Sequence, residues 1–270
     1  MMCRLLEVSR SAFYSWRKRI RPSARELQDE VLLEAIIKAH QESRGTYGSP
    51  RVYQQLKRDG FDVCESKVER LMRAAGISGV VKKKYKATTN SNHNDRVAAN
   101  ILNREFGTET PDSVWCADIT AVHTSAGFMY LAVVLDVATR LVVGWSMASH
   151  METSLVEDAL GNALGWRTPE DDLIHHSDRG SQYTSKDYQQ ILMDYGVTCS
   201  MSRKGNCWDN AVMESFFGTY KQECANRERW RGLMQAREGT ADFIEAFYNR
   251  RRLHSSLGYR TPAEADGDVA

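Results

Sequence analysis

The sequence predicts an α/β architecture, a mixed five-stranded sheet with helices on both faces, preceded by an all-α region. Three observations lead there. The apolar period is helical up to about residue 80 and changes to strand alternation after residue 105. In that second part three successive strand patterns are followed by alternating helix and strand, an order that suits a layered mixed sheet and not a sandwich or a bundle. The formal net charge of +1 also hides an asymmetry: residues 1–104 carry 21 Lys+Arg against 11 Asp+Glu, whereas residues 105–270 carry 15 against 24. A basic part joined to an acidic part suggests a polyanion-binding module attached to one that uses carboxylates.

The length of 270 residues is enough for one large or two modest domains with a real core. Hydrophobic residues at 42% and charged residues at 26% exclude wholesale disorder and fibrous repeats. The densest apolar run, Phe128 to Ala138, is interrupted by Asp136 and falls far short of the roughly 20 residues a membrane span needs. The start, MMCRLLEVSR, has no apolar stretch of a secretory signal, which predicts a cytoplasmic protein. Cysteines 3, 64, 116, 199, 207 and 224 form no CxxC pair and are expected to be reduced; with the histidines they show no zinc-ligand spacing.

Residues 1–24 read as a partial helix-turn-helix, CRLLEV and SAFYSWRKR flanking a turn at Ser9 and Arg10. Residues 25–80 read as a complete one. In LQDEVLLEAIIKAH, Leu27, Val31, Ala35 and Ala39 recur every four positions, with Leu32 and Ile36 in the adjacent row. Ser49-Pro50 is a helix-start signal, and RVYQQLKRDG runs to a glycine stop. In ESKVERLMRAAG, Val68, Leu71, Met72 and Ala75 are expected inside and Lys67, Arg70 and Arg73 outside, with Gly76 as terminator. Residues 81–104 form a basic and polar linker, KKKYKATTNSNHND, whose Lys82, Lys83 and Lys84 could neutralise phosphates. From 105 to 265 the strands VWCADITAVHT, GFMYLAVVLDVAT and RLVVGWSMAS precede the helix SLVEDALGNALGWR, the strand LIHHSD, the helix KDYQQILMDYG, the strand VTCSMS and a helix from about Asp209 to Cys224, with a helical extension beyond.

Asp118 falls in the first, central strand, Asp178 at the end of LIHHSD, and Glu214 in the last of these helices, with 59 and 35 residues intervening. Three carboxylates from different elements can supply the hard anionic oxygens that a divalent cation such as magnesium prefers. Many other acid triples exist in a chain with 35 acidic residues, so spacing by itself decides nothing.

The surrounding words are more specific. VWCADIT, HHSDRGSQYTS, SRKGNCWDNAVMESFFGTYKQE and YNRRRLHSSLGYRTPAEA closely resemble the integrase core of insertion-sequence-three family transposases, and SRGTYGSPRVYQQLKRDG through LMRAAGI resembles the helix-turn-helix that precedes it. The resemblance spans nearly the whole chain. It implies an RNase-H-like core whose catalytic, metal-binding triad is Asp118, Asp178 and Glu214, with Mg2+ as cofactor and Mn2+ able to substitute. It also implies that Lys221, seven residues after the glutamate, touches DNA. The partners implied are DNA, as element ends and target, further copies of the chain on DNA, and an upstream-frame helix-turn-helix and coiled-coil segment, present as partner or fusion. The place implied is the bacterial cytoplasm, at the nucleoid. This chain shows no sustained heptad and resembles the second-reading-frame product alone.

Asn210, Glu214 and Lys221 are four and seven apart, which predicts one helical stripe; Asn210 is expected near the helix start, orienting metal or DNA. His176 shares strand parity with Asp178 and is read either as a donor to a carboxylate or as a satisfied half-buried histidine, while His175 faces the other way. Asp136 beside Arg140 reads as a structural acid or as a fourth acid near the site, and Trp115 and Trp208 read as core in preference to base-stacking platforms. Two competing functions remain at this level: a metal-dependent nuclease that cleaves without joining, and a DNA-binding regulator or relic using only the basic part.

Overall fold

The computed structural model describes residues 3, 7–17, 22–80, 98–102, 108, 110–168, 172–203 and 210–267. The chain divides into two compact units, residues 1–79 and 80–270.

The first unit is helical. Helix α1, Arg10–Arg17, starts where Ser9 Oγ accepts from the Ala12 amide at 3.1 Å, and it buries no residue. Helix α2, Ala24–Glu42, opens on a reciprocal cap between Ser23 and Glu26. Helices α3, Ser49–Arg58, and α4, Glu65–Ala74, follow, with Pro50 in the first turn of α3 and Gly76 at φ +67° just past α4. They pack α2 through Leu32, Ile36 and Ala39, α3 through Val52 and Leu56, and α4 through Val68, Leu71 and Met72. The expected row on α2 is corrected, since Leu27 is 49% and Val31 60% exposed. Every fourth residue drifts about 40° around a 3.6-residue helix, so a strict four-step row spirals away from the core. The inward row instead mixes steps of four and three, Leu32, Ile36, Ala39 and then Ser43. Ala75 is likewise exposed, because it is the residue that caps α4.

The second unit is built on the expected five-stranded mixed sheet, in the order β3-β2-β1-β4-β5. Strands β1, Val114–Thr124, β2, Gly127–Asp136, and β3, Val142–Ala148, form an antiparallel meander. Strands β4, Ile174–Ser177, and β5, Thr198–Met201, add to the other side of β1 in parallel. Helix α5, Thr153–Trp166, lies on β3 and β2 and buries Leu155, Val156, Ala159, Leu160, Ala163 and Leu164, each large side chain worth about 1.5–3 kcal/mol. Its close approach needs Gly144: a Cβ there would come within 2.7 Å of Ala163 Cβ. The short helix α6, Ser181–Thr184, and α7, Lys186–Asp194, complete this face with Tyr183, Tyr188 and Leu192 against Trp115 and Val197.

Helix α8, Ala211–Tyr220, packs against β1 and buries Val212, Met213, Phe216, Phe217 and Tyr220. It widens into a π-helical stretch at Lys221–Ala225, and α9, Leu233–Ala241, widens likewise at Asp242–Tyr248. The two pack through aromatic edges, Phe216 on Tyr248 at 4.9 Å and Tyr220 on Phe243 at 5.6 Å. Arg252, 2% exposed, forks onto Glu223 with two bonds of 2.7 Å, and the Asn249 amide bonds both the N–H and the C=O of Val142 at 3.0 Å on edge strand β3. A short 3-10 turn at Ser255–Leu257 and helix α10, Pro262–Asp266, finish this extension. Among the described residues, no helix is long and apolar enough to cross a membrane.

Candidate active site

The central position of β1 determines what can meet on the sheet. Cys116 pairs with His176 at the end of the parallel β1/β4 ladder, and Asp118 and Asp178 each follow two residues later, with the side-chain parity of that pair. Asp118 Oδ1 accepts from the Ile119 amide at 2.8 Å. Asp178 Oδ1 accepts from the Gly180 amide at 2.8 Å in the turn after β4, and Arg179 Nε anchors that turn to the Ser202 carbonyl at 2.6 Å. Glu214 sits exposed in the first turn of α8, the helix that covers this same side of β1.

These groups feel one another. Burial, and then the charge of Asp178, pushes the Asp118 carboxyl up to about 8; Glu214 adds to the rise, while the Ile119 amide and the Lys221 ammonium oppose it. Burial raises Glu214 and lowers Lys221, the latter against the pull of Asp118. Asp118, Asp178, Glu214 and Lys221 therefore share one electrostatic neighbourhood. Among the described residues, no three His, Cys, Asp or Glu side chains are close enough, as they stand, to enclose a metal ion.

Other expected residues are placed differently. Asn210 is the cap of α8, with φ −127° and ψ 30°, and it is buried, whereas Glu214 is exposed; among the described residues the Asn210 Oδ1 accepts no hydrogen bond. His176 faces the same way as Asp178, but its Nδ1 lies 2.9 Å from Ser200 Oγ, because the β4/β5 register sets the two opposite. Ser200 Oγ also accepts from the Ile101 amide at 3.1 Å, so His176 braces the neighbouring strand through that nitrogen. His175 packs on the opposite face, 2.9 Å from the Tyr188 hydroxyl, and burial pulls it down to about 3. Asp136 also lies on that opposite face, opposite Trp115, and accepts from the amides of Asp112 and Thr139 at 2.7 Å as a turn-capping acid. Trp115 is core, while Trp208 lies outside the described residues.

In the helical unit, Lys67 and Arg70 do not project freely. They meet Asp29 of α2 at 2.9 and 2.7 Å, and Arg73 meets Glu69 at 2.5 Å. Lys82, Lys83 and Lys84 lie outside the described residues. Sequence reasoning missed the Gly180 amide and Ser200, which bond the expected residues Asp178 and His176. The RG of HHSDRGSQ signalled only a turn, and nothing local marks Ser200.

The Integrase core domain family matches residues 108–207, a second Integrase core domain family matches residues 195–262, and an HTH-like domain family matches residues 26–85. Insertion element IS600 uncharacterized 31 kDa protein of Shigella sonnei is 44% identical over 97% of this chain and 96% of its own length. Transposase InsF for insertion sequence IS3A of Escherichia coli K12 is 37% identical over 97% of this chain and 92% of its own. The chain belongs to the insertion-sequence-three family of transposases. Transposase for insertion sequence element IS904 of Lactococcus lactis, 39% identical over 90% of this chain and 96% of its own length, is a further relative. As a transposase of this family the protein is a polynucleotidyl-transferase-type enzyme of DNA transposition. Among solved structures, the HTLV-2 integrase catalytic core domain in complex with magnesium matches 56% of this chain and 94% of its own at 16% identity, with a TM-score of 0.45.

Proposed function

We propose that Asp118, Asp178 and Glu214 are the catalytic carboxylates with which this transposase cleaves DNA at element ends and joins it to a target. The observation that supports this best is the β1/β4 register, which brings the chain at Asp118 and at Asp178 to the same end of one ladder, where the charges of Asp178 and Glu214 both raise the Asp118 carboxyl. The donor set suits magnesium, with manganese able to substitute: the three groups offer hard carboxylate oxygens, and burial, followed by the charge of Asp178, raises the Asp118 carboxyl to about 8. Bound there, the metal would supply Lewis acidity toward phosphodiester oxygens. Asp118 in the middle of β1, bonded by the Ile119 amide, and Asp178 just past β4, bonded by the Gly180 amide, would hold it together with Glu214 of α8.

The reaction is two in-line displacements at phosphorus. Water first breaks the bond to the 3′-oxygen at an element end, and the 3′-hydroxyl so released then attacks the phosphorus of a target phosphodiester, losing its proton and expelling the target's own 3′-oxygen. No covalent bond to the protein and no ATP are needed. Lys221 would hold a phosphate of the terminal strand, Asn210 at the start of α8 would orient metal or DNA, and His176 would brace the strand that leads to Asp178. Residues 25–80 supply further DNA contacts through Lys67, Arg70 and Arg73, continued by Lys82, Lys83 and Lys84 of the segment 81–104, with the chemistry in residues 105–265. Contact by Lys67 and Arg70 requires DNA phosphates to displace Asp29. Several copies on DNA, an upstream-frame segment as partner, and action in the bacterial cytoplasm complete the proposal.

The test is to incubate the purified chain with a branched DNA that mimics a joined product and to add magnesium or manganese. Metal-dependent strand resolution that disappears in Glu214→Gln, while DNA binding persists, is the expected result. Resolution retained in that variant would remove Glu214 from the triad, and hydrolysis without any joining would favour a nuclease.

A further inference from the structure

The chain leaves the carboxylate face along α8 and arrives at the far end of β1. After the π-helical stretch, residues 226–232 cross to the β1–β2 hairpin, where the Ser125 amide donates to the Trp230 carbonyl at 2.9 Å. Trp230 is buried, and its indole fills the space above Gly239: a Cβ at that glycine would lie 2.9 Å from the ring. The segment is thereby pinned at both its backbone and its one large side chain. Around this anchor Arg227, Arg229 and Arg231 are all exposed. No acidic side chain among the described residues pairs with any of them, in contrast to Lys67, Arg70 and Arg73, and Glu228 is the single acid between them.

Three exposed guanidinium groups on a pinned segment, with Glu228 the single acid among them, form a positive patch that attracts anions. Their placement suggests one. From Asp118 to the hairpin, β1 advances about 20 Å at roughly 3.3 Å per residue. That is about six base pairs of duplex at 3.4 Å each. Lys221 lies between, on the helix that leads from Glu214 to the arginines. Beyond Glu214 the chain order Lys221, Arg227, Arg229, Arg231 is thus a run of positive groups leading away from the proposed site of chemistry.

We propose that Arg227, Arg229 and Arg231 form a second, sequence-independent contact to the DNA backbone, about six base pairs from the scissile phosphate. The contact holds a bound duplex in register along β1. This inference rests on the reading that the core acts on DNA. The phosphates could belong to an element end or to target DNA, and the chemistry of recognition is the same for both.

Fluorescence anisotropy of the full chain without divalent metal, at several salt concentrations, tests it independently of catalysis. Two labelled duplexes of equal length are used, one carrying the element's terminal repeat and one of unrelated sequence. Each phosphate contact contributes about 0.9 to the slope of log K against log salt, so Arg227→Gln/Arg229→Gln/Arg231→Gln is expected to flatten that slope by up to about 2.7. The triple lysine variant keeps the slope, because charge and not fork geometry makes the contact. Flattening on both duplexes assigns the contact to DNA in general, and flattening on the repeat duplex alone assigns it to the element end; either supports the proposal. Single Arg229→Gln, expected to flatten the slope by about 0.9, gives the same reading should the triple variant fold poorly. A wild-type slope retained by the glutamine variants overturns this inference and leaves the triad untouched, as would loss of slope in the lysine variant. Absence of any DNA binding by the wild-type chain would overturn both this inference and the reading beneath it.

Discussion

Asp29 in the helical unit and Asp118 in the sheet unit are both carboxylates set among charged neighbours, yet they are driven in opposite directions. Lys67 and Arg70 hold Asp29 down at about 2 by direct hydrogen bonds, whereas burial and the neighbouring Asp178 and Glu214 push Asp118 up to about 8. A charge answered by its opposites serves to tie helices α2 and α4 together. A charge crowded by its own kind serves no structural purpose, and its cost must be offset when a cation or a phosphate-bound cation arrives. The difference separates carboxylates answered by cations, as Asp29 in the helical unit and Glu223 in the sheet unit are, from Asp118, which is crowded by other acids.

Substitutions sharpen that contrast in order of expected effect. Asp178→Asn or Glu214→Gln is expected to lower strand transfer by about 10³-fold or more, since such groups supply several kcal/mol of transition-state stabilisation, with DNA affinity nearly unchanged. Product yield on end-labelled DNA measures the first and anisotropy the second. Among answered charges the buried one matters most: Arg252→Ala leaves Glu223 uncompensated beneath α8 and is expected to cost about 3–5 kcal/mol in denaturant unfolding. Removing a crowded charge works the other way. Asp118→Asn is expected to raise metal-free stability by about 1 kcal/mol, a shift of a few degrees in thermal midpoint, while abolishing activity. A lowered midpoint would show that Asp118 is answered after all.

The smallest effect belongs to Asp29. Its folded pKa is depressed, so the stability it contributes is fully present above the unfolded value of about 3.9 and is lost as pH falls through about 2. Asp29→Asn is expected to lower the midpoint slightly at neutral pH, with wild type and variant converging between about pH 4 and pH 2. A gap that persists at acid pH would assign the effect to something other than this ion pair.

Much of this was legible in the sequence because the informative periods are short. Alternation in VWCADITAVHT and LIHHSD makes two strands whose parity alone decides that Asp118 and Asp178 face one way and His175 another. The order of strand and helix patterns implied the mixed sheet with β1 at its centre. What stayed hidden depends on long-range pairing or on fractions of a helical turn. Leu27 and Val31 looked internal because a four-step row resembles a stripe until its drift accumulates. Lys67 and Arg70 looked free because Asp29 lies some forty residues earlier, on another helix. Asn249 reaching the edge of β3 and Ser200 meeting His176 are likewise contacts between distant residues that no local pattern announces.

The central claim is that the crowded carboxylates around Asp118 are where a divalent cation binds. The most direct measurement is the thermal midpoint of the chain as manganese or magnesium is added, for wild type, Asp118→Asn and Asp178→Asn. Binding to the folded state alone at about a hundred times the dissociation constant adds about 2.7 kcal/mol, so the account predicts a clear rise for wild type and none for either variant. Equal shifts in all three proteins would place the metal elsewhere and contradict it.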